Sequence, residues 1–66
     1  MTGTDFDKTS AQEFAATIRR KLPPNKKVFV HFYPEQNRRY LAILHNGKTV
    51  ARIWDVESAV SYWAGL

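Results

Sequence analysis

Apolar and polar positions alternate most regularly between Arg38 and Trp54, RRYLAILHNGKTVARIW. Two alternating runs flank Asn46-Gly47, the strongest short-range hairpin signal, because a type I′ turn needs φ > 0 at both central residues. With those residues at the turn, His45 lies opposite Lys48. Counting outward pairs Leu44 with Thr49, Ile43 with Val50, Ala42 with Ala51, Leu41 with Arg52 and Tyr40 with Ile53. Side chains alternate faces along a strand. One face then carries Tyr40, Ala42, Leu44, Thr49, Ala51 and Ile53, and its two facing alanines invite a helix to approach closely. The other carries Arg39, Leu41, Ile43, His45, Lys48, Val50, Arg52 and Trp54, an apolar centre with a basic, aromatic rim.

The pattern changes period on either side of the hairpin. Ala11, Phe14, Ala15, Ile18 and Leu22 recur at helical spacing, which predicts a helix over 11–22. Thr9 and Ser10 are candidate N-caps, with Gln12 and Glu13 three residues on as capping-box partners. Arg19, Arg20 and Lys21 crowd the last turn, where cations complement the helix dipole. Pro23-Pro24 stop the helix. Residues 27–33, KVFVHFY, are β-branched and aromatic and read as a strand. Residues 34–38, PEQNR, read as a turn. A five-residue loop there pairs Tyr33 with Arg39 and places Val28, Val30 and Phe32 on the alanine face. A four-residue loop reverses the faces. The first is preferred because it gathers one larger apolar surface and leaves Phe29, His31 and Tyr33 on the mixed face. Past the hairpin, Asp55 reads as an N-cap and Val56, Ala59, Val60 and Trp63 as an apolar stripe, with Gly65 at the helix end.

The expected fold class is therefore α+β, a two-layer α-β-β-β-α arrangement. It has a three-stranded antiparallel sheet with both helices on one face. Residues 1–66 make one small domain, and residues 1–8 are expected to be a flexible lead-in.

Composition narrows the function. The chain has no cysteine, so no disulfide or thiolate metal site, and its two histidines lack a third ligand at metal spacing. Neither a metal nor a cofactor is expected. A chain this short is only marginally stable from its own core. No apolar run is long enough for a membrane helix, and the polar, acidic start MTGTDFDKTS argues against a signal peptide. Without cysteine or signal, a cytoplasmic setting is expected. Ten Lys/Arg against six Asp/Glu give a formal charge of +4 and suit an anionic partner.

The mixed face then holds the candidate site. Arg39, Lys48 and Arg52 are the expected phosphate ligands and Tyr33 and Trp54 the expected stacking rings. His31 and the apolar Leu41, Ile43 and Val50 lie beside them. Arg19, Arg20, Lys26 and Lys27 form an electrostatic flank. Cations interleaved with aromatics are what nucleic acid needs. An exposed apolar centre instead favours a protein partner. The leading expectation is a non-enzymatic DNA- or RNA-binding domain with no small-molecule substrate. The alternative is a protein-interaction module, either a phage- or plasmid-type inhibitor of a host complex or a homodimer built on the same face.

The element order resembles that of double-stranded-RNA-binding domains. That family reads RNA partly through a lysine-rich start to its second helix. Here Asp55, Val56 and Glu57 stand at that start and would repel phosphate, so none of its binding residues carries over. The strand-turn-strand-helix portion also resembles the DNA-binding sheet of integrase arm-type domains. The layout is similar to that of small ribonuclease toxins too, which implies a third reading with His31 as the strand histidine. No catalytic residue is assigned: Ser58 and Ser61 lack a glycine elbow, and Glu35 has no second carboxylate nearby.

Overall fold

A computed structural model describes residues 3–66. The elements are α1 (Lys8–Lys21), β1 (Lys26–Tyr33), a 3₁₀ turn (Pro34–Gln36), β2 (Arg38–His45), β3 (Lys48–Ile53) and α2 (Val56–Ala64). The strands form one antiparallel sheet in the order β1-β2-β3. Both helices pack on one face of it. Ala11, Ala15 and Ile18 of α1 and Ala59 of α2 share a single core with Val28, Leu41, Ile43 and Ile53 of the sheet. The expected α-β-β-β-α architecture is the one observed.

Helix α1 starts earlier than its Ser/Thr signals indicate. Asp7 is the N-cap: its carboxylate accepts from the Ser10 N–H at 2.7 Å, and the Ser10 hydroxyl accepts from the Asp7 N–H at 3.0 Å. Ser10 thus fills the third helical position of a capping box, not the cap itself. The part of the expected flexible lead-in that is described is packed. Phe6 is buried, and Asp5 and Phe6 bridge to Asp55 and Arg39. The Thr4 N–H and hydroxyl both donate to the Glu57 carboxylate, tying this segment to the start of α2. Met1 and Thr2 lie outside the described residues.

Strand β1 and residues 51–53 of β3 present the expected sides to the helices, but β2 is turned over relative to them, and two local features decide it. The first is the β1–β2 connection. Pro34 opens a 3₁₀ turn and Asn37 closes it in the left-handed region at φ 49°. Asparagine is one of the few non-glycine residues that visits this region at modest cost. The reversal is complete after four residues, so Tyr33 pairs with Arg38, not Arg39. Val28 then faces Ile43, and Val30 faces Leu41.

The second feature is a bulge in β3. Asn46 (φ 52°) and Gly47 (φ 79°) form the expected turn, and His45↔Lys48 and Leu44↔Thr49 pair as counted. The register then slips: Ile43 pairs with Ala51, Ala42 with Arg52 and Leu41 with Ile53. Val50 is the extra residue and is 56% exposed. A bulge of this kind shifts every later side chain to the opposite face. Together the two features bring the sheet's large aliphatics, Val28, Leu41, Ile43 and Ile53, to the helix side, all buried. An unslipped hairpin would have left Ile53 on the far side from Leu41 and Ile43. The small Ala11 and Ala15 of α1, both with no exposed surface, meet the sheet; of the two alanines expected there, Ala51 packs against this core and Ala42 lies on the opposite face.

Helix α2 begins at Asp55 as expected, with the carboxylate accepting from the Ser58 N–H at 3.2 Å. Its buried side is Val56, Ala59 and Tyr62, while Val60 and Trp63 stay exposed. Lys21 joins the two helix ends: its Nζ donates to the Trp63 carbonyl at 3.1 Å and lies 4.0 Å from the centre of that indole.

Candidate nucleic-acid interface on the open sheet face

The register leaves one sheet face without a helix. Its rows, read across the strands, are Lys27–Leu44–Thr49, Phe29–Ala42–Arg52, His31–Tyr40 and Tyr33–Arg38, with Trp54 continuing β3 beyond Arg52. Ala42 is buried yet belongs to no part of the helix-side core, as a small central residue flanked by Phe29 and Arg52 should be.

The rings on this face are stacked on one another. His31 and Tyr40 lie 5.4 Å apart and 27° from parallel. Tyr40 and Trp54 are 4.4 Å apart at 35°. Tyr33 meets Trp54 edge-on at 5.8 Å and 86°. Such pairs add to the stability that area burial alone provides. The Arg38 guanidinium sits 5.0 Å from the Trp54 ring and that of Arg52 5.8 Å from Tyr40. Arg38 is also held by a 3.1 Å ion pair to Asp5 and donates to the Trp54 carbonyl at 3.3 Å. Its Nε is buried without a hydrogen-bond partner among the described residues. Arg52 is exposed, and Phe29 is 45% exposed.

Four residues expected in the site do meet here: His31, Tyr33, Arg52 and Trp54. The other five do not. Leu41 and Ile43 have no exposed surface and form the centre of the helix-side core. Val50 is exposed, but at the bulge on the β3 edge. Arg39 points to the helix side, where it lies 5.1 Å from the Phe32 ring and its charge helps hold the Asp7 carboxyl low. Lys48 sits at the hairpin end in one row with His45 and Lys26, the helix-side row by alternation. The His45 Nδ1 there is buried without a partner among the described residues. In the expected flank, Lys27 reaches the open face and Arg20 is exposed. Lys26 does not reach that face. Arg19 is committed to structure, donating to the Val28 carbonyl at 2.9 Å.

Arg38, Tyr40 and Phe29 are the members of this face that the expected site left out. Arg38 and Tyr40 share a face by alternation along β2; the four-residue loop closed by Asn37 brings Phe29 to that face, and the bulge at Val50 brings Trp54.

Charge is distributed unevenly over the elements. The three strands hold six of the ten basic residues, Lys26, Lys27, Arg38, Arg39, Lys48 and Arg52, and none of the six acidic ones. Asp5, Asp7, Asp55 and Glu57 gather where the N-terminal segment meets the start of α2. Two of these carboxyls are held below their ordinary range. Asp7 is lowered first by the Ser10 backbone N–H and then by the Ser10 side chain, and Glu57 first by the Thr4 backbone N–H. No cluster of His, Cys, Asp or Glu among the described residues could hold a metal ion, and no described helix is long and apolar enough to cross a membrane. No protein-family model, curated protein or solved structure matches the chain.

Proposed function

We propose that this chain binds nucleic acid through its open sheet face. One observation carries the reading. Five rings (Phe29, His31, Tyr33, Tyr40 and Trp54) share that face with Lys27, Arg38 and Arg52, on strands that contain no carboxylate. Rings offer π-faces to bases and cations offer charge to phosphates. The true register removes the main objection to this reading. Leu41 and Ile43, which would have given the face an apolar centre suited to protein, are in the core, and Ala42 takes their place. His31 contributes a ring to the stack. No carboxylate lies on the strands themselves, but Asp5 of the N-terminal segment is ion-paired to Arg38, so phosphate contact falls first to Lys27 and Arg52.

A salt titration tests the proposal. Fluorescence polarisation of labelled oligonucleotides should give an association constant that falls linearly with salt on logarithmic axes, with a slope of about −0.7 to −0.9 per phosphate neutralised. Arg52→Ala should lower that slope by about one. Binding that ignores salt, or none at low salt, would overturn the proposal. If sedimentation instead reveals a dimer dissolved by Tyr33→Asp, the face serves contact between copies of the chain.

A further inference from the structure

The spacing of groups along β1 narrows the ligand further. By alternation and by their partners on β2, Lys27, Phe29, His31 and Tyr33 all lie on the open face, and all four are exposed. Strand β1 is an edge of the sheet, so no further strand crowds their outer side. His31 is backed by Tyr40, which is backed in turn by Trp54, so the middle ring of the track has a built support on its inner side. Tyr33 is braced edge-on by the same Trp54. Phe29 lies across from Ala42, where no large side chain rises to cover it.

Successive residues on one face of a strand are about 6.6–6.8 Å apart, twice the strand rise per residue. Bases stacked within a duplex advance about 3.4 Å per nucleotide on each strand. One base per ring therefore requires a strand stretched to roughly twice its duplex rise, with its bases unstacked. A duplex cannot do this without losing its pairing and stacking, whereas a single strand is free to. Cations are placed to follow such a strand. Lys27 continues the track beyond Phe29 and Arg52 lies two strands away in the Phe29 row, while Arg38, the cross-strand partner of Tyr33, is ion-paired to Asp5 and holds the Trp54 end of the ring stack.

Resting on the nucleic-acid reading above, we infer that the ligand is an extended single strand lying along β1, with three bases stacked on Phe29, His31 and Tyr33. The face should select against duplex of the same sequence. Phe29 and Tyr33 are exposed, so their removal should leave the core intact.

The test uses the full chain with a labelled ten-nucleotide strand, as DNA and as RNA, and with the corresponding blunt DNA duplex. The single strands should bind at least about ten-fold more tightly than the duplex. Phe29→Ala and Tyr33→Ala should each weaken single-strand binding by about ten-fold, in line with the loss of one base–ring stack, with circular dichroism unchanged and the salt slope preserved. Lys27→Ala should lower the slope, and Val50→Ala should do neither. Duplex binding as tight as single-strand binding, with no effect of ring removal but a normal salt slope, would overturn the single-strand inference and leave the broader reading standing. Absence of binding to all three probes would overturn both. So would a dimer dissolved by Phe29→Ala in a chain that binds none of them.

Discussion

Replacing Ile43 with alanine separates the observed register from the unslipped one more sharply than any other change. In the unslipped hairpin Ile43 lies on the partner-facing side, and its truncation would cost little. In the folded chain it has no exposed surface and sits between Val28 and Ala51 in the helix-side core. Truncating a buried isoleucine to alanine costs about 2–5 kcal/mol, from lost transfer energy plus the cavity left behind. At roughly 0.05–0.15 kcal/mol per residue, a chain of 66 residues has a total stability of about 3–10 kcal/mol. The substitution therefore removes a large fraction of it. In urea, with a slope of about 1 kcal/mol/M for so small a domain, the unfolding midpoint should fall by about 2 M or more, if a folded baseline survives. Val50→Ala, at the exposed bulge, should stay within about 0.5 kcal/mol of the parent. Far-ultraviolet circular dichroism and tryptophan fluorescence should report the same transition if unfolding is two-state. Equal midpoints for Ile43→Ala and Val50→Ala would refute the bulged register and with it the composition of the open face.

Further expectations concern the ends and turns. Asn37→Val should destabilise the chain by about 1–2 kcal/mol, because a β-branched residue resists the left-handed conformation that closes the four-residue loop; unchanged thermal stability would contradict that role. Phe6→Ala should cost about 3–5 kcal/mol and raise protease sensitivity ahead of α1, whereas an unaltered cleavage pattern would mean that the segment does not dock. Folded Asp7 and Glu57 bind protons more weakly than their unfolded counterparts. Their contribution is complete above the unfolded values and is lost as pH falls through the lowered folded ones. Stability should thus decline below about pH 5. In Asp7→Asn that decline should be shallower, and an identical acid limb in the variant would show that the Ser10 hydrogen bonds carry no linkage.

Much of the chain was legible in its sequence because the signals concerned are local. Helical spacing from Ala11 to Leu22, the proline stop, the Asn46-Gly47 turn and the Asp55 cap all depend on residues within one or two turns of each other. Each produced the element it implied. Four of the nine expected site residues, His31, Tyr33, Arg52 and Trp54, also met. What the sequence left undecided was which side of β2 joins the helix-facing residues of β1 and β3. Strand alternation has a period of two, so one residue more or less in a loop or strand exchanges the two faces entirely. Asn37 shortened one loop by a residue, and the bulge at Val50 lengthened one strand by a residue. Asn37 tolerates the shorter loop locally, but it does not by itself exclude the longer one. Both changes are repaid only in the tertiary structure, where they let Val28, Leu41, Ile43 and Ile53 reach Ala11, Ala15, Ile18 and Ala59 together. Burial of the largest aliphatics outweighed the regular ladder. It also decided that Tyr40 and Arg38, and not Leu41 and Ile43, lie on the face that no helix covers.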